Sequence, residues 1–168
     1  KATTEQHLKH EIAFIPSPAF RELDADKAWT DGRDFSPKHN GKLNTRNTPT
    51  VYNVGYLDKL YWDGRTSPLE TNIKAAWTGQ MGGKPDEMAE TLAGIDGYKT
   101  QFEAAFGGPP TGDRIIDGLA AFLRTLRTGN SPYDRYKGDP TNGIQGDQNA
   151  ISTEAKKGES LFNSTAGC

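Results

Sequence analysis

The sequence predicts an all-α protein with long ordered loops. Apolar residues recur at three- and four-residue steps in several segments, those segments are bounded by helix start and stop residues, and no segment alternates convincingly enough to be a strand. The loop content follows from composition: of 168 residues only 33% are hydrophobic, 19 are glycine and 10 are proline.

Residues 1–23 combine a short amphipathic stretch with a segment broken at Pro16 and Pro18. His7 and His10 are spaced i, i+3 but lack a third ligand, so they carry no metal assignment. From Ala28 to Lys42 the chain is polar and interrupted by Gly32, Pro37 and Gly41, which predicts irregular structure around His39. The stretch from Arg46 to Arg65 has too little periodicity for a long helix. Pro49 disfavours helical backbone at Thr48, Gly55 and Gly64 allow bends, and Tyr52, Tyr56, Tyr61 and Trp62 supply flat apolar area, so an ordered loop is expected.

Helices follow. Ser67-Pro68-Leu69-Glu70 reads as a capping box, with Leu69, Ile73 and Trp77 on one stripe. Pro85 opens a second helix whose stripe is Met88, Leu92 and Ile95, with Gly97 as its stop. Tyr98, Phe102 and Phe106 mark a third, closed by Gly107 and Gly108. The longest runs from about Thr111 through Ile115, Leu119, Phe122 and Leu126 to Gly129. Ser131 starts a short turn, residues 138–146 form a Gly, Asp and Asn loop suited to a domain boundary, and Ser152 caps a last helix with Ala155, Leu161 and Phe162 on its stripe.

The net charge of -2 gives no electrostatic basis for binding nucleic acid, and no run reaches the length of a membrane span. Cys168 is the only cysteine, which excludes an internal disulfide. A chain this short of apolar residues either solvates its loops or completes its core with a large bound group.

Two motifs in the central loop, Arg46-Asn47-Thr48-Pro49-Thr50 and Trp62-Asp63-Gly64-Arg65, together resemble the signature of the bacterial diheme cytochrome c peroxidases and related diheme oxidoreductases. The similarity runs from about Asp24 to Cys168. It implies cytochrome c-like helical domains and two c-type hemes. It also implies that Trp62 relays electrons between the hemes and that His39, seven residues before Arg46, ligates the iron of the peroxidatic heme. From its surroundings alone, a loop histidine with no carboxylate nearby is a solvated side chain. By the same resemblance Asn47 gives an oxygen to a calcium ion, and Arg46 and Arg65 contact heme propionates, unless they pair with Asp63 instead. Cys168 matches the first cysteine of the Cys-x-x-Cys-His that attaches the C-terminal heme.

Two features depart from the family pattern. Where relatives carry the upstream attachment motif, this chain has Ala19-Phe20-Arg21-Glu22-Leu23; either covalent attachment is lost, or residues 1–23 are not the native upstream sequence. At the acid-base Glu-Met of the relatives stands Gln80-Met81, in a segment about two residues shorter. Gln80 can hydrogen-bond a peroxide but cannot titrate.

The resemblance therefore implies an internal fragment, itself inactive, of a periplasmic oxidoreductase. The full protein would reduce hydrogen peroxide with electrons from a small cytochrome c or cupredoxin, and a homodimer is compatible with the family. Residues 24–130 would be the C-terminal part of the N-terminal, peroxidatic domain, and residues 131–168 the start of the second. The rival readings are a diheme oxidase that modifies a protein side chain and a heme-free helical interaction module.

Overall fold

The computed structural model describes residues 25–38 and 40–166. The described residues are helices and loops. There are no strands among them, only the isolated antiparallel bridges Pro37 to Leu43, Leu60 to Thr66 and Asp139 to Ile144. Six α-helices are present among the described residues: α1 Leu69–Ala75, α2 Pro85–Ala93, α3 Asp96–Phe106, α4 Gly112–Leu123, α5 Pro132–Lys137 and α6 Thr153–Asn163. None is long and apolar enough to cross a membrane. The chain separates into two compact units, with the boundary between Arg127 and Thr128.

In the first unit α4 packs against α1 and α2, and α2 against α3. The helix spacing read from sequence explains why. Leu69, Ile73 and Trp77 are all buried, and they meet Ala89 and Leu92 of α2 and Ile115, Ile116 and Ala120 of α4 in one core. Ala120 is fully buried, which lets α4 approach its neighbours closely at that point. Helix α3 contributes Tyr98 and Phe102 from its half-buried face, and Phe102 stacks on Phe106 with ring centroids 5.6 Å apart.

Caps set several boundaries as expected. Thr111 accepts from the Arg114 amide, Ser152 accepts from Ala155, and Ser131 with Asp134 forms a reciprocal capping box. Gly107 closes α3 at φ 66, in the left-handed region where glycine is favoured.

Four expectations are corrected. Ser67 does not cap α1: Pro68 is extended, so the helix begins at Leu69, with the Ser67 hydroxyl too far back to reach its first amides. Helix α2 stops at Gly94 rather than Gly97. The Gly94 amide bonds back to Glu90 and Thr91, Ile95 is extended, and Gly97 lies in the first turn of α3. Helix α4 ends at Leu123, so Leu126 is buried from a following turn and not from a helical stripe. The stripe of α6 is not a core, because Ala155, Leu161 and Phe162 are exposed.

The second unit is held chiefly by polar contacts among its described residues. Glu159 of α6 accepts from the Tyr133 hydroxyl at 2.6 Å and from Lys137 Nζ at 3.1 Å, both on α5. Those bonds hold the Glu159 carboxyl below its ordinary pKa, the tyrosine contact being the larger cause.

Helix α1 runs on into a π-helical turn, Ala76–Gln80, closed by the Met81 amide donating to Ala76 O at 2.9 Å. Trp77 is buried inside this turn at 3% exposure, and the Gly83 amide donates to its carbonyl. A Cβ on Gly83 would stand 2.3 Å from Trp77 Nε1. Gly83→Ala is therefore expected to destabilise the fold by about 1–3 kcal/mol, the usual cost of overpacking, read as a lowered midpoint in thermal or urea unfolding.

Candidate functional site

The central loop is fixed to the helical core at both of its halves. In the first half, the Asn53 amide donates to Leu126 O at 2.9 Å and Val54 enters the core. Gly55 lies so close to Arg124 that a Cβ there would be 3.2 Å from the arginine Cα. In the second half, Leu60 is buried and its amide donates to Thr66 O at 2.9 Å, which closes residues 60–66 into a small loop. Arg124 itself is tied to Glu70 of α1 and lowers that carboxyl's pKa.

That small loop carries an exposed ionic cluster. Arg46 Nη1 and Arg65 Nη1 each lie 2.7 Å from a different oxygen of Asp63. The two guanidinium groups, Arg65 first, hold the Asp63 carboxyl down at about 2 from an ordinary 3.8. Two cations on one carboxylate leave a net positive cluster. Because the folded-state pKa is depressed, the stabilisation is present above the unfolded value and is lost as pH falls through the folded one. Acidification from about pH 4 to about 2 is therefore expected to loosen this loop. The check is the Trp62 component of fluorescence, wild type minus Trp62→Phe, which should change in that window and lose the transition in Asp63→Asn.

Trp62 stands at 65% exposure, yet its indole is held: Nε1 donates to Asn47 O at 2.9 Å. Asn47 is held in turn, since its side-chain Nδ2 donates to Arg33 O at 2.5 Å. The two sequence motifs are thus joined twice, through Arg46 to Asp63 and through Asn47 to Trp62. Beside Trp62, Tyr61 is half-buried at φ 66, with the Arg65 guanidinium 3.8 Å above its ring.

Residues 28–38 and 40–50 form a second stretch, close to the first. Ala28 and Trp29 both have positive φ, Trp29 is buried, and Thr50 Oγ1 donates to Ala28 O. The hydroxyls of Ser36, almost fully buried, and Thr48 are hydrogen-bonded to each other. Asp31 is 4% exposed; its Oδ1 accepts from the Arg33 amide at 3.2 Å while its Oδ2 has no hydrogen-bond partner. Sequence reading missed this residue, because an Asp-Gly pair in a polar segment reads as a solvated turn. Further along, the Pro37 to Leu43 bridge brings Lys38 Nζ to 3.4 Å from Gly79 O, next to Gln80 in the π turn.

Of the residues singled out from sequence, the structure groups Arg46, Asn47, Trp62 and Arg65 in one cluster. Gln80 is half-buried at the end of the π turn, and its amide has no hydrogen-bond partner among the described residues. His39 and Cys168 lie outside the described residues. Two open surface clefts lie elsewhere, one along α3 from Asp96 to Ala104, the other between α1 and α4 around Lys74 and Asp113.

The central loop of this helical unit thus presents an exposed tryptophan whose indole nitrogen is held by Asn47. A family model described as "Di-haem cytochrome c peroxidase" matches residues 24–142, and the chain belongs to that family. It is 36% identical over 141 residues to the methylamine utilization protein MauG of Methylophilus methylotrophus, covering 82% of this chain and 40% of that protein. It is 33% identical over 145 residues to the cytochrome-c peroxidase IdrP1 of Pseudomonas sp. (strain SCT), covering 83% of this chain and 36% of that one. The chain thus spans about two fifths of the length of these relatives. The fold is shared with a solved MauG-like protein associated with microbial copper homeostasis, at a TM-score of 0.69 and 24% identity, over 83% of this chain and 41% of that one.

Proposed function

We propose that the chain is the peroxidatic side of a periplasmic diheme oxidoreductase, in which Trp62 carries electrons and the segment around Gln80 receives hydrogen peroxide. The observation that carries this reading is the double clamp on Trp62, Asn47 O on its indole nitrogen and the Arg46–Asp63–Arg65 cluster beside it. An exposed tryptophan needs no such fixing to solvate, whereas one that exchanges electrons needs a constant distance to its partners.

The described residues fit a heme on two counts. The arginine cluster is net positive, suited to a propionate carboxylate, and each guanidinium keeps donors beyond the one bound to Asp63. Phe35, Leu43, Tyr56, Leu57 and Trp62 leave large apolar side chains exposed in the same two loop stretches. In this reading Arg46 and Arg65 hold propionates, His39 supplies an iron ligand, and Cys168 belongs to the attachment motif of the second heme. The bound iron supplies the electron-accepting and peroxide-binding chemistry. For calcium, Asn47 leaves Oδ1 free of its bond to Arg33, one oxygen toward the six to eight that this ion takes. The electron donor would be a small cytochrome c or cupredoxin, and residues 24–130 and 131–168 would belong to successive heme domains.

Gln80 favours a second reading, an oxidase acting on a protein side chain. A residue that cannot titrate is poorly suited to rapid proton delivery to peroxide. The test uses the full-length protein. Soret absorption with oxidation of reduced cytochrome by peroxide is the expected result; absence of heme overturns both readings, and heme with no peroxide turnover leaves the oxidase.

A further inference from the structure

Tyr61 and Trp62 are adjacent in sequence and both are oxidisable, yet their surroundings differ in charge and in burial. The Arg65 guanidinium lies 3.8 Å over the Tyr61 ring, and Asp63 Oδ1 holds it there at 2.7 Å. The negative charge of Asp63 is offset by Arg46 as well as Arg65, so the ring faces a net positive group. Each increment of positive charge makes removal of an electron from that ring harder. The Tyr61 hydroxyl points to Asn72 O at 3.4 Å, a backbone carbonyl that does not take up a proton. Burial raises the phenol's pKa, Arg65 lowers it by less and Asp63 raises it a little further, so the proton is held in place. Among the described residues no cation lies over the Trp62 ring, and its N–H is hydrogen-bonded to Asn47 O.

We propose that Arg65 is a positioning residue that keeps Tyr61 reduced, so that a one-electron oxidation reaching this loop remains on Trp62. This deepens the electron-carrying reading of Trp62 and rests on it. In the step, Trp62 gives one electron to a one-electron oxidant, a role that a heme would fill in the full protein on the proposed reading. Its N–H proton stays, because the Asn47 carbonyl accepts a hydrogen bond without accepting the proton, and an electron from the donor restores the indole. Oxidation of Tyr61 would instead have to release its phenolic proton along with the electron, and no base is placed to receive it. The arrangement separates two neighbouring aromatic rings into a conductor and an insulated anchor.

The test needs no heme. A photogenerated ruthenium(III) polypyridyl complex, with a sacrificial electron acceptor, oxidises the 168-residue chain, and transient absorption and electron paramagnetic resonance separate indolyl from tyrosyl radicals. In the otherwise wild-type chain, Tyr61→Phe should leave the tyrosyl signal unchanged and Trp62→Phe should lower the indolyl signal. Arg65→Gln should raise the tyrosyl yield about two- to five-fold, the scale of a surface cation–π contact, and adding Tyr61→Phe should abolish the rise. Arg65→Lys, which retains a cation, should fall between the two. A tyrosyl signal in the wild type that Tyr61→Phe removes overturns the proposal, and this arm holds even if Arg65→Gln does not fold. A rise in Arg65→Gln that survives Tyr61→Phe overturns it as well. Failure of the peroxidase reading shows instead in the Soret and turnover measurements on the full-length protein, which this photochemistry does not use.

Discussion

Gln80→Glu in the full-length, heme-loaded protein is expected to raise peroxide turnover by about one to three orders of magnitude, the scale of positioned acid-base catalysis. Breaking the O–O bond requires a proton to leave one peroxide oxygen and reach the other. An amide can orient that exchange by hydrogen bonds but can neither take the proton nor return it. A carboxylate at the same place can do both. The structure leaves the Gln80 side chain half-buried and without a hydrogen-bond partner among the described residues, so the exchange to Glu breaks no existing bond. The gain should appear in kcat, with a new ionisation in its pH profile. Unchanged turnover in a wild type that already reacts fast would assign proton transfer to another residue.

Trp77→Ala should have the largest effect on stability, about 3–5 kcal/mol, the range for deleting a buried aromatic ring. Trp77 is 3% exposed and joins α1 to the core through the π turn. Its loss would open a cavity where Gly83 has given up its own side chain to make room. Urea unfolding of the 168-residue chain followed by far-UV circular dichroism provides the measurement. A loss of less than about 1 kcal/mol would mean the turn collapses onto the gap.

The core was legible because its signal is local and repetitive. Leu69, Ile73 and Trp77, and Ile115 with Leu119, announce their helices by spacing, while Thr111, Ser131 and Ser152 announce the starts by cap chemistry. Helix ends were less legible. Gly94 and Gly97 are equally good stop residues by local sequence; in the structure Gly94 is the C-cap and Ile95 is extended. Leu126 continued an apolar pattern past the end of α4 because a turn can bury a leucine as well as a helix can. At the proposed site, the motifs marked the loop but left open whether Arg46 and Arg65 pair with Asp63 or contact a propionate; in the structure both lie on Asp63. Periodicity could not show that Tyr61 lies under a guanidinium, nor that Asp31 is buried with an unpaired oxygen, since both depend on contacts between non-repeating segments.

The π turn at Ala76–Gln80 also gives chain length a role in the chemistry. An α-helix advances about 100° per residue, so accommodating one extra residue in a single wide turn shifts the angular phase of everything after it by that amount. Trp77 sets the phase of the preceding helix in the core, and Gln80 follows three positions later, within the widened turn. Deleting one residue between them would return the segment to α-helical pitch and swing position 80 to another face while the core registration of Leu69 and Ile73 stayed as it is. In this part of the fold, the face on which residue 80 stands is selected by angular phase as much as by identity, so on the proposed reading of Gln80 a one-residue indel would act as a functional substitution.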